Sequence, residues 1–314
     1  MSPLLTDMII EKHGNRGNPV AGIFKSTENE QEYLRCYSNS LALFEADCTS
    51  LTVPTSWGET RVLRFGDTGK PPLVLLHGMT MSSTMWYPNV KHWLQERCVY
   101  TVDVMGDFGR SQPDRAVKSR QDARQWLLEV MDGLRLDSTD LAGHSMGGFL
   151  ALNFALAHPE RISRLMLYAP AGTFHKISFK FFAKIYPALL FHTEKWIDRA
   201  FAWFSGKGEP LHPVFRAQVL AGYRYAKPLL QVMPSVFPKE EFKDFQVATL
   251  LLVGDKEVIY PAGKAVENAR SLIPGIEARL IPGASHSLTI EHADIVNQLT
   301  LDFLQTAPRT MEAQ

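Results

Sequence analysis

Residues 140–160 read "DLAGHSMGGFLALNFALAHPE": an apolar run, a knot of glycines around Ser145, then a stretch rich in Ala and Leu. "STDLAG" (138–143) has the length of a buried strand and "MGGFLALNFALA" (146–157) that of a buried helix. A strand that turns sharply into a helix needs small neighbours at the break, and Gly143 and Gly147 flank Ser145 as G-x-S-x-G. In that setting the serine hydroxyl stands clear of the sheet as a nucleophile. The same glycines also suit an idle turn, so the reading depends on partners elsewhere in the chain.

Outward from this stretch, short apolar runs alternate with helical patterns. "TSLTV" (49–53) and "TRVLRF" (60–65) predict a strand pair, and "PPLVLL" (71–76) a buried strand followed by a helical stretch that ends near "NVKHWLQER" (89–97). "CVYTVDV" (98–104), "SRLMLYA" (163–169), "ATLLLVG" (248–254) and "EARLIPG" (277–283) predict further strands. In "SRQDARQWLLEVMDGL" (119–134), Ala123, Trp126, Leu127, Val130, Met131 and Leu134 share one helical face. Continuous apolar strands separated by helices imply an α/β fold, a mostly parallel central sheet covered by helices on both faces.

Two segments break the rhythm. Residues 1–48 are expected to form an N-terminal extension with a helix over 28–45. Residues 171–246 hold nearly half of the chain's aromatic side chains, among them Phe181, Phe182, Trp196, Phe201, Trp203 and Phe204, in helical spacing. They are read as a helical cap inserted between core segments 49–170 and 247–314.

The 314 residues carry 33 basic and 33 acidic side chains, which gives no global attraction to nucleic acid or to an anionic membrane. Cys36, Cys48 and Cys98 are scattered and form no C-x-x-C, as suits a reducing compartment. No segment is long and apolar enough for a membrane span, and "MSPLLTDMII" lacks the marks of a signal peptide, so a cytoplasmic location is expected. With no Walker lysine loop, G-x-G-x-x-G or H-E-x-x-H, no nucleotide or metal cofactor is expected.

A serine nucleophile needs a base, and the base needs an acid to orient it. His286, in "LIPGASHSL", follows the last predicted strand, where a loop can carry it over the strand ends. His158, His175, His192 and His212 lack that position, and His144 is expected to point away from the turn. The strand 248–254 ends in "GDKEVIYP", where Asp255 and Glu257 both qualify as the acid. Oxyanion donors are expected from the backbone N–H groups of Met146 and of Met79, the latter in "LLHGMTMSSTMW", where Gly78 permits a tight path and His77 braces the loop.

"LLHGM", "VDVMGDFGRS", "GHSMGG", "GDKEVIYP" and "GASHSL" occur in the order and spacing of the α/β-hydrolase family, and the chain resembles its bacillus-type carboxylesterase branch most closely. The family pattern G-x-x-D-x-x-x-P, laid on Gly254 and Pro261, puts the acid at Glu257, with Asp255 the runner-up. Glu in place of Asp departs from the commoner form, as does Asp107 where the family more often has His; Asp103 and Asp107 are read as structural. The resemblance implies hydrolysis of carboxylic esters through an acyl-enzyme, and the aromatic cap, expected to roof an apolar pocket, favours a small apolar ester as substrate. Two other activities fit the same residues: hydrolysis of a carbon–carbon bond in a dienone or diketone, and a ligand-binding or signalling role with slow turnover.

Overall fold

A computed structural model describes residues 22–206, 208 and 210–306. Of the expected N-terminal extension, residues 1–21 lie outside the described residues. In chain order the elements are α1 (Thr27–Leu41), β1 (Cys48–Thr55), β2 (Gly58–Phe65), β3 (Pro72–Leu76), α2 (Val90–Trp93), β4 (Cys98–Val102), β5 (Gln112–Pro113) and α3 (Arg120–Gly133). There follow β6 (Thr139–His144), α4 (Met146–Ala157), β7 (Ile162–Tyr168), α5 (Phe179–Phe191), α6 (Glu194–Phe204) and α7 (Pro213–Tyr225). The last are β8 (Ala248–Gly254), α8 (Ala262–Leu272), β9 (Glu277–Ile281), α9 (Leu288–Glu291) and α10 (Ala293–Gln305). They fall into two compact units, one drawn from Met1–Asp137 and His212–Met233, the other from Ser138–Leu211 and Pro234–Gln314.

In the first unit β1 and β2 pair antiparallel, β2 pairs antiparallel with β4, and β4 runs parallel to β3. The expected strand pair is therefore present, with β1 longer at both ends and β2 longer at its start. Strands β3 and β4 are buried almost throughout, as their unbroken apolar sequences require. Helix α1 starts where the Ser26 hydroxyl accepts the Asn29 N–H at 3.3 Å, and α3 starts on a capping box between Ser119 and Asp122. The helical stretch expected to end near residue 97 is shorter than its apolar content suggests: a 3₁₀ turn at Ser83–Trp86 and the four residues of α2. Pro88 lies between them and has no N–H to carry a helix through.

Helix α7 belongs to this unit and packs along α1. Its buried Gln218 donates to the hydroxyls of Tyr33 (3.2 Å) and Ser82 (2.7 Å) and accepts from Thr84 Oγ1 (2.9 Å). The stretch 171–246, read as one cap, thus places α7 in the first unit and α5 and α6 in the second.

The second unit holds four parallel strands in the order β6, β7, β8, β9. Helix α4 packs on β6 and β7, and its first ten residues are all buried. A helix apolar on every side needs cover on every side, and this one has it. The parallel strands share a direction, so their C-terminal ends lie on one edge, where α/β sheets carry their sites.

Candidate active site

Ser145 is the single residue between β6 and α4, with φ 52° and ψ −113°, a backbone conformation side-chain-bearing residues rarely adopt. Its N–H donates to the Tyr168 carbonyl at 2.9 Å, and its carbonyl accepts the N–H groups of Phe149 and Ala171, both at 3.0 Å. These three bonds hold the strained residue in place. A Cβ at Gly143 would come within 2.2 Å of the Gly147 carbonyl oxygen, so a glycine there is what allows the turn to close. Gly147 supplies that oxygen from the first turn of α4.

His286 lies in the loop between β9 and α9. Its Nε2 is 2.8 Å from Ser145 Oγ, and its Nδ1 is 2.9 Å from Glu257 Oε2. The Glu257 side chain is fully buried, and its other oxygen, Oε1, accepts the Ile259 N–H at 2.8 Å. With Nδ1–H directed at a carboxylate, Nε2 is left to accept the serine proton. Asp255 is exposed instead, and its Oδ1 accepts the Gly283 N–H at 2.8 Å. Between the two candidate acids, the structure brings Glu257 to the histidine and leaves Asp255 as a tie between loops. That tie continues a ladder: Asp255 N–H donates to the Ile281 carbonyl and Lys256 N–H to that of Ala284. Gly254 completes the close approach, because a Cβ there would meet the Ala284 oxygen at 2.2 Å.

Three neighbours were not legible as site residues. His144 was expected to point away; its ring instead sits 5.1 Å from that of His286, and its Nε2 lies 2.8 Å from the His286 carbonyl oxygen. A ring N–H can donate there, which steadies the backbone of the base. The Phe204 ring, at the end of α6, is 5.6 Å from the His286 ring, and the Phe204 carbonyl accepts the Ser287 N–H. Glu291 clamps the same junction: Oε2 accepts from Ser205 Oγ and the Gly206 N–H, each at 2.8 Å, while Oε1 accepts the Ser285 N–H at 2.9 Å. Phe181, Phe201 and Trp203 surround Phe204 with ring centroids 5.4–6.1 Å away.

Of the two expected oxyanion donors, the Met146 N–H is the first of α4 and has no intrahelical acceptor by position. Met79 lies in the first unit, in a loop pinned peptide by peptide. His77 Nε2 accepts the Val104 N–H at 2.9 Å, so the ring proton is on Nδ1, which donates to the Gly78 carbonyl at 2.8 Å. Burial lowers the His77 pKa, consistent with that neutral form. In a planar trans peptide the Gly78 carbonyl and the Met79 N–H point in opposite directions, so this bond sets where the amide aims. The next residue, Thr80, has φ 57°; its N–H donates to both oxygens of Asp107 at 3.0 Å, and its hydroxyl meets the Met79 carbonyl and Tyr223 OH.

Asp107 is itself buried, and that burial raises its pKa to about 7 against the lowering effect of the Phe108 and Thr80 N–H groups. Asp103 takes the Ser83 and Arg110 N–H groups and the Tyr37 hydroxyl. Both aspartates brace loops, as read from the sequence. Among the described residues no group of three or more His, Cys, Asp or Glu side chains is placed to hold a metal.

Residues 73–299 match the model of the alpha/beta hydrolase family, and the chain belongs to that family. It is 35% identical to carboxylesterase YbfK of Bacillus subtilis over 90% of this chain and 96% of that one. Among solved structures, naproxen esterase (carboxylesterase NP) of B. subtilis superposes with a TM-score of 0.85 at 34% identity, over 90% of this chain and all of the other. Carboxylesterase CesB (YbfK) of the same organism superposes at 0.83 with 34% identity, over 89% of this chain and 99% of that one.

Proposed function

We propose that this protein is a serine hydrolase that cleaves carboxylic esters through an acyl-enzyme. The observation that carries the reading is one imidazole bonded on one side to Ser145 Oγ at 2.8 Å and on the other to a buried carboxylate, Glu257, at 2.9 Å. The names of the relatives at 34–35% identity favour esters over carbon–carbon bonds or slow ligand binding.

Ser145 Oγ attacks the ester carbonyl carbon as its proton passes to His286 Nε2. Glu257 holds the ring in the productive tautomer and offsets the imidazolium charge. The carbonyl oxygen becomes an oxyanion, for which the reading assigns the amides of Met146 and Met79 as donors. When the intermediate collapses, Nε2 returns the proton to the departing alkoxide and the acyl group stays on Ser145. Water then attacks the acyl carbon as it loses a proton to Nε2; the bond from that carbon to Ser145 Oγ breaks, the acid leaves, and Nε2 returns the proton to Oγ.

The aromatic cluster around Phe204, against the His286 ring, supports small apolar, uncharged substrates over polyanions. The reading places the enzyme in the cytoplasm, where its three free thiols, Cys36, Cys48 and Cys98, suit the redox state. No described helix is long and apolar enough to cross a membrane. Hydrolysis of short p-nitrophenyl esters by the parent enzyme and by Ser145→Ala tests the proposal. The variant is expected to keep its fold and lose about 10⁴-fold or more in kcat; retention of most of the activity contradicts it.

A further inference from the structure

Helix α5 carries large apolar side chains on its outside. Phe179 is 83% exposed, Tyr186 63% and Leu190 53%, with Phe182 and Leu189 exposed beside them. Positions 179, 182, 186 and 190 recur at intervals of three and four, which aligns them along one face of the helix. Only Ile185 and Ala188 are buried, on the side where α5 packs along α6. Monomeric proteins rarely display so many large apolar side chains together unless something covers them.

The charge around this stripe identifies what covers it. From residue 171 to residue 193 the chain contains Lys176, Lys180 and Lys184 and no Asp or Glu, although the whole protein is charge-balanced. Helix α6, by contrast, carries one acid for each base: Glu194 and Asp198 against Lys195 and Arg199. An apolar helical face edged by lysines is the pattern of a helix that lies in the plane of a lipid interface, its apolar side chains among the acyl chains and its ammonium groups at anionic headgroups. A second copy of the chain fits less well, because pairing this face with itself brings lysines against lysines. The side chains also protrude from a single convex helix, which suits a deformable surface.

We propose that the exposed face of α5 docks this protein on an anionic lipid surface. The docking is independent of the esterase reading. Its consequence, that substrate is drawn from esters dissolved in that surface, rests on it: α5 packs on α6, and α6 ends at Phe204 beside His286.

Flotation of the full-length protein with vesicles tests the docking without reference to catalysis. Phosphatidylcholine vesicles containing phosphatidylglycerol should carry the protein upward, more weakly at high salt, and pure phosphatidylcholine should carry much less. Phe179→Ser/Tyr186→Ser/Leu190→Ser and Lys180→Glu/Lys184→Glu should each weaken binding to the anionic vesicles about tenfold or more, while kcat/KM on a water-soluble ester shows that both remain folded. Absence of flotation with phosphatidylglycerol overturns the proposal, as does flotation of both variants equal to that of the parent. So does sedimentation showing a parent dimer that the serine variant dissociates, since the face then belongs to a second copy.

Discussion

Helices α4 and α5 are both apolar, and they meet opposite fates. "MGGFLALNFALA" is buried along its first ten residues, whereas "FKFFAKIYPALLF" buries only Ile185 and Ala188. Two lysines in α5 aside, both are written mainly in apolar residues, and position separates them. Helix α4 leaves the end of β6 through a one-residue turn and is laid directly on β6 and β7, so each side chain finds a neighbour. Helix α5 lies in the long connection between β7 and β8 and has α6 as its main support. The contrast assigns the two helices different tasks. Chemistry needs atoms fixed to within a fraction of an ångström, and Ser145 sits at the N-terminus of a helix whose first ten residues are buried. A surface that meets a partner needs exposed area, and α5 has it.

The contrast can be sharpened by substitution, with large effects expected from buried framework groups and small ones from the displayed face. The largest lies between the two neighbouring carboxylates. Glu257→Gln, whose side chain is fully buried on His286, should lower kcat by about 10²–10⁴. Asp255→Asn, exposed two residues earlier, should change it by no more than about twofold. Equal losses in the two variants, measured on one p-nitrophenyl ester, break the distinction.

Next comes Asp107, buried but remote in sequence from the elbow. Its folded-state pKa, about 7, lies above the usual 3.8, so the folded protein holds this proton more tightly than the unfolded chain. The stability it contributes is therefore whole below about pH 4 and lost as pH rises through about 7. Asp107→Asn removes the titration and should gain on the parent by ~1–3 kcal/mol between pH 5 and pH 8 in urea unfolding. A difference independent of pH contradicts the burial argument.

Smaller still is the effect expected of Glu291→Ala, which frees the end of α6 from the His286 loop and should lower kcat about tenfold by loosening the base. The smallest belongs to the displayed face: Phe179→Ser with Tyr186→Ser should leave kcat/KM on a water-soluble ester within about twofold. A large loss there means that α5 reaches the chemistry.

The difference between the two helices also decides what the sequence reveals. Elements of the α4 kind are legible, because a strand buried on both faces must be written as an unbroken apolar run and a sharp elbow must be written with glycine, as at Gly143. Glu257 was separable from Asp255 only through the family's spacing, since both end the same strand and the choice depends on which carboxylate the loop turns inward. Glu291 carried no sequence signal, and nothing singled Phe204 out among the aromatic side chains of 171–246. Phe204 meets His286 from 82 residues away, across a connection whose path no local pattern specifies. His144 was misjudged for a related reason: being next to the nucleophile says nothing about the carbonyl its ring meets 142 residues later. The division of residues 171–246, with α7 in the first unit, likewise depends on Gln218 finding Tyr33, Ser82 and Thr84, partners far removed in sequence.

The central claim is that Ser145, activated by His286, carries the acyl group. Intact-mass analysis after brief exposure to a fluorophosphonate, followed by peptide mapping, measures this directly. A single adduct on Ser145, formed rapidly by the parent and at least about 10²-fold more slowly by His286→Ala, is the predicted result. An adduct on any other residue, or labelling of Ser145 at the same rate without His286, contradicts the account.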